Sequence, residues 1–235
     1  LTGGLIGSEL HMDGTRQEKI FMPGYGEFST GSLATDDLEA LALTVPIDAL
    51  QAPLPDALKT MGSASAAIFN AATANDFAAA ATSLASLSSA WTTYQSGQVP
   101  PLLKAEMARV LPLLETAVDD QSAADTRDEV IALARVIYDL RLRYQPIAEI
   151  DQVRLDLWMA QIAADAAESG FGDIRGDAVT AALVFERFKH TLASSLAGDI
   201  AAKLGQLSAA AESNDAVNAA FIASQIRAAL SVGWK

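Results

Sequence analysis

The feature that most constrains this chain is a spacing. Val130, Leu133, Ile137, Leu140 and Tyr144 recur at steps of three, four, three and four residues. Met107, Leu111, Leu114 and Val118 recur at four, three and four. A helix turns once in about 3.6 residues, so each set forms a single apolar stripe along one side of a helix. Such a stripe has to be buried against another, and two in succession predict antiparallel helices packed side by side.

The punctuation fits helices of bundle length. Asn75 is placed to cap a helix running to Tyr94, where Ser96 and Gly97 stop it. Pro100 and Pro101 suit the first turn of the next helix. Thr126 and Glu129 have capping-box spacing, and Pro146 biases Gln145 out of helical geometry. The segment IDQVRLDLWMAQI, Ile150 to Ile162, differs. Its apolar residues surround most of a helical wheel, which predicts a helix buried between two bundles.

The later part repeats the plan of the earlier one. Laying 105–120 over 198–213 matches Met107 with Ile200, Leu111 with Leu204, Leu114 with Leu207 and Val118 with Ala211. Ile131, Val136 and Leu140 then meet Phe221, Ile226 and Leu230, while Leu84, Leu87 and Trp91 meet Ala181, Val184 and Phe188. The expected fold is all-α: two similar antiparallel helical bundles, an internal duplication, sharing a central buried helix. Bundle A would occupy 57–146 and bundle B 147–235. Residues 1–56, broken by Gly3, Gly4, Gly7, Gly14, Gly24, Gly26, Gly31, Pro23, Pro46, Pro53 and Pro55, predict an extended N-terminal arm. One short helix within it would run from about Asp36 to Leu43.

Composition removes several functions. A net charge of −13, with only 16 lysines and arginines, opposes the phosphate neutralisation that nucleic-acid binding requires. The absence of cysteine excludes disulfides, thiolate metal sites and a cysteine nucleophile. Hydrophobic residues make up 51%, but much of that is alanine, and the apolar run Phe77–Trp91 is too short to span a bilayer. No GxSxG motif or nucleophile–base–acid set occurs, so a non-enzyme without cofactor is expected.

Candidate sites are few. Glu186 and His190 stand four apart on one helix and would hold a cation only with ligands from other helices. His11, in the run HMD, is the other weak metal candidate. Arg135, Arg141, Arg143 and Arg154 are interleaved with Asp139, Glu149, Asp151 and Asp156, and Asp139 precedes Arg143 by the favourable four residues for a helix ion pair. Leu5, Ile6, His11, Phe21 and Tyr25 in the arm, with the terminal Trp234, are the candidate partner-binding residues.

The opening stretch LTGGLIGSELH resembles tails of the form TGxxGGxLxH that follow the last span in some bacterial multi-span membrane proteins, through Thr2, Gly3, Leu10 and His11. The resemblance implies an extracytoplasmic, membrane-associated location, with anchoring through what precedes Leu1. The expected role is an accessory or structural subunit docked on a membrane-protein complex. The alternative is a periplasmic bundle binding a metal, haem or small hydrophobic ligand, with His11, His190 and Met107 the first residues to examine.

Overall fold

The computed structural model describes residues 5–10, 12, 14–22, 26–30 and 52–230. The chain divides into two compact units, Leu1–Gln51 and Ala52–Lys235.

In the first unit, strands β1 (Leu5–Leu10), β2 (Arg16–Met22) and β3 (Gly26–Thr30) form an antiparallel sheet in chain order. Leu5 pairs with Phe21, Ile6 with Ile20 and Leu10 with Arg16. The β2–β3 ladder shifts register between Ile20 and Phe21. Gly14 sits at φ +85° in the β1–β2 turn, a left-handed conformation that an L side chain resists. Within the expected extended arm, the described strands 5–10, 16–22 and 26–30 pair with one another through their backbone groups. The short helix expected at Asp36 to Leu43 lies outside the described residues.

Among the described residues the regular structure of the second unit is helical, as the stripes require. Its helices are α1 (Asp56–Thr73), α2 (Phe77–Tyr94), α3 (Pro101–Asp119), α4 (Ala123–Arg141), α5 (Ile147–Glu168), α6 (Phe171–Phe188), α7 (Ser194–Glu212) and α8 (Ala216–Leu230). A 3-10 turn, Lys189–Thr191, follows α6. Two cap assignments change. Asp76, not Asn75, caps α2, its carboxylate accepting from the Ala79 amide at 3.0 Å. Ser122 caps α4, and Thr126 is buried inside that helix.

Asn75 instead stops α1. It is left-handed at φ +56°, and the next amide, of Asp76, reaches back to the Ala71 carbonyl at 2.8 Å. That is a Schellman stop, which satisfies carbonyls at a helix end. The same stop recurs after α3 at Gln121, after α5 at Ser169 and after α7 at Asn214.

Neighbour relations also recur. α1 packs on α2 and α4, and α3 on α4; α5 packs on α6 and α8, and α7 on α8. α4 packs on α5, joining the two sets. The central helix serves both cores: Ile150, Val153, Leu157 and Ala160 face the first, and Leu155, Met159 and Ile162 the second.

Counting from the left-handed stops pairs Met61 with Leu155, Ile68 with Ile162, Leu87 with Ala181, Trp91 with Phe185 and Met107 with Ile200. It also pairs Val130 with Ala223, Leu133 with Ile226 and Ile137 with Leu230, and every residue named is buried. For α3 and α7 this is the register read from the stripes. For α2 with α6 and α4 with α8 it differs by three residues, so Ile131, fully buried, does not correspond to Phe221, which is 60% exposed. Three residues are nearly one turn, and a stripe slid by a turn falls on itself.

Candidate functional site

Of the charged side chains that the sequence interleaves with apolar ones, Asp139, Asp151, Arg154 and Asp156 find their partners around α5, which packs on α4, α6 and α8. α5 supplies two carboxylates, Asp151 and Asp156, that are almost wholly buried. Burying a carboxylate is costly unless a cation and hydrogen bonds replace its water. Asp151 accepts from Arg154 Nη1 at 2.9 Å and pairs with Arg187 Nε of α6 at 3.1 Å. Arg154 also donates to Asp139 of α4. Asp156 receives Arg227 of α8 bidentately, at 2.9 and 3.3 Å. The Arg227 guanidinium lies 5.6 Å from the Phe69 ring of α1.

The sequence expected Asp139 to pair with Arg143 on its own helix. Asp139 turns instead to Arg154, and Arg143 donates to the Gln98 carbonyl at 2.9 Å. Arg141, likewise buried, donates to the Leu58 carbonyl at 2.8 Å.

A second polar group lies nearer the α5–α6 turn. Gln161 Nε2 donates to Asp128 at 3.1 Å and to Asp165 at 3.0 Å. Arg135 stacks 4.1 Å over Trp158. Burial, and then the neighbouring Asp165 carboxyl, push Asp177 up to about 8. Oδ2 of Asp165 and Oδ2 of Asp177 are both buried without a donor among the described residues. At neutral pH this corner therefore holds a carboxylic acid rather than a second bare carboxylate.

Of the metal candidates, Glu186 lies near the end of α6 and His190 in the 3-10 turn after it. Glu186 and His190 are both exposed, and Glu186 pairs with Lys189 at 2.6 Å. Met107 is fully buried in the first core. Among the described residues no group of three or more histidine, cysteine, aspartate or glutamate side chains could hold a metal ion. Of the partner candidates, Leu5 and Ile6 lie on β1 and Phe21 on β2. His11, Tyr25 and Trp234 lie outside the described residues.

The structure also leaves large apolar side chains exposed. Leu10 is 62% exposed at the end of β1, and Met12, in the turn after it, is fully exposed. On α6, Val179 and Leu183 form an exposed pair one turn apart; on α8, Val217 and Phe221 do the same. The stripes placed Phe221 with Ile226 and Leu230, whereas the structure leaves it outside the buried seam of Ala219, Ala223, Ile226 and Leu230.

Compared with known proteins, the chain matches no family model, no curated protein and no solved structure.

Proposed function

We propose that this chain is a non-catalytic helical interaction module outside the cytoplasmic membrane, an accessory subunit docked on a membrane-associated protein assembly. The observation that carries this reading is the β1–β2 hairpin, which presents Leu10 and Met12 to water at its tip. An exposed methionine and leucine on a turn lose water favourably only when something covers them, and such positions are common docking points. The sheet has two outer strands, β1 and β3, each paired on one side within it, which gives a partner backbone groups as well as side chains.

No helix among the described residues is long and apolar enough to cross a membrane, so attachment through a partner protein is the form proposed. In the helical unit the buried carboxylates Asp151 and Asp156 are taken up by arginines, which supports a structural rather than reactive use. As part of the same proposal, the two sets of four helices derive from one by internal duplication.

The test is co-purification from native membranes with the intact chain as bait. Partner recovery is expected to fall about tenfold with Met12→Asp, as loss of a contact hot spot does, while helical content stays unchanged. Recovery unaffected by both Met12→Asp and Leu10→Asp would remove the hairpin from the interface.

A further inference from the structure

The faces that α4 and α8 turn away from their own four-helix sets differ in one respect. α4 is covered there by α5: Arg127 pairs with Glu168 at 3.7 Å, Asp128 accepts from Gln161, Ile131 is fully buried, and Arg135 stacks on Trp158. Counting from the stops at Gln121 and Asn214, the corresponding places on α8 hold Ala220, Phe221, Ser224 and Ala228, with Val217 one turn before Phe221. Phe221 is 60% and Val217 83% exposed, and Ser224 and Ala228 are exposed as well. Among the described residues no helix lies over this stripe.

α1, at the other side of the unit, is finished differently. Where α5 presents Ile150, Val153 and Leu157 to α4, α1 has Asp56, Lys59 and Ser63. All three are exposed, and Lys59 donates to Asp56 at 2.8 Å. A terminal element with a polar outer face needs no neighbour; one with an exposed phenylalanine and valine a turn apart leaves apolar surface in water.

We propose that this stripe binds the same stripe of a second copy of the chain, α8 against α8, antiparallel about a two-fold axis near Ser224. Three observations select that occupant. The chain carries −13, yet α8 has a single ionisable side chain, Arg227, already neutralised by Asp156. Two copies can therefore meet on this face without opposing like charges. The stripe is also complementary to itself: an axis at Ser224 lays each Phe221 ring beside the small Ser224 side chain of the other copy, a large group against a small one. Finally, the polar face of α1 offers α8 no apolar match, which disfavours head-to-tail growth through α1. The contact as proposed is made by α8 alone.

Sedimentation equilibrium of the full chain tests this. A dimer is expected at about 100 μM, with the dissociation constant raised about thirtyfold by Phe221→Glu and by Val217→Glu, and unchanged by Leu10→Asp. Because the chain has no cysteine, Ser224→Cys is expected to give an oxidised cross-linked dimer, and Ser63→Cys, on α1, none. A monomer at that concentration overturns the proposal, as does a dimer indifferent to both glutamates. A cross-link that forms only when the Ser63→Cys and Ser224→Cys chains are mixed overturns it too, in favour of a head-to-tail contact.

Discussion

The two sets of four helices differ in where buried carboxylates lie: among the described residues both, Asp151 and Asp156, belong to α5. In α1–α4, buried Arg141 and Arg143 donate to the backbone carbonyls of Leu58 and Gln98. In α5–α8, Arg187 and Arg227 meet the buried carboxylates Asp151 and Asp156 of α5. The difference follows from position. α5 lies between two cores and has no solvent-facing side wide enough for its charges, so they find partners on α4, α6 and α8. Asp151 links Arg154 of its own helix to Arg187 of α6, and Arg154 carries the link on to Asp139 of α4, so removing Asp151 takes the anion from Arg187 and one of two from Arg154.

The largest expected effect tests that contrast. Asp151→Ala should cost about 3–4 kcal/mol in urea unfolding, because Arg154 and Arg187 are themselves mostly buried. Adding Arg187→Met should restore part of the loss. A cost below about 1 kcal/mol, the range of surface pairs, would show that water already reaches Asp151. Somewhat smaller, at about 2–4 kcal/mol each, are Leu155→Ala and Leu157→Ala, which cut the same helix on the side of the second and the first core. Both are expected to move one shared transition. Two separable transitions, each sensitive to one substitution, would mean that the sets of four unfold independently.

Most helices were legible in the stripes, and the double-sided burial of α5 in the crowding of its wheel. The register read from the stripes agrees with that counted from the left-handed stops for α3 and α7 and differs from it by three residues for α2 and α4, where the shift is close to one period of the pattern. Partners such as Asp139 with Arg154 join different helices, which no local spacing encodes. The sheet is hidden when the glycines of residues 1–31 are taken only as breaks. Asp13–Gly14 between LIGSEL and RQEKIFM is a hairpin signal that names the turn.

The acid corner between α4, α5 and α6 gives a pH dependence with a definite sign. Asp177 faces Asp165 of α5, Arg135 of α4 and Asp173 of its own helix; Asp128, on α4, shares Gln161 with Asp165. Its folded value of about 8 lies above the unfolded carboxylate range, so the folded state binds the extra proton. The resulting stabilisation is complete below about pH 4 and is lost as pH rises through about 8. Asp177→Asn should remove that slope, and stability of the variant above pH 8 should exceed that of the parent. An unchanged slope in thermal melts across this window would assign the dependence to other groups. The first set of four has no counterpart: counted from the stops at Asn75 and Ser169, the place of Asp177 is taken on α2 by Ser83, which is half-buried and does not titrate in this range.

The smallest effect separates two stops that look alike. Gln121 and Asn214 are both left-handed, at φ +56° and +57°. A non-glycine side chain there costs about 1 kcal/mol, less for asparagine, so Gln121→Gly should stabilise by about 0.5–1 kcal/mol. Asn214→Gly should not. Its Oδ1 accepts from Arg175 Nη2 at 2.9 Å, and the same arginine reaches the Ala211 carbonyl at 3.2 Å, tying the end of α7 to α6. Glycine would relieve the backbone and remove that acceptor, and the two changes are of similar size, about 1 kcal/mol at most for an exposed hydrogen bond. Equal gains at both positions in parallel chemical melts would show that the Arg175 contact contributes nothing, and that the two turns are equivalent in energy as well as in shape.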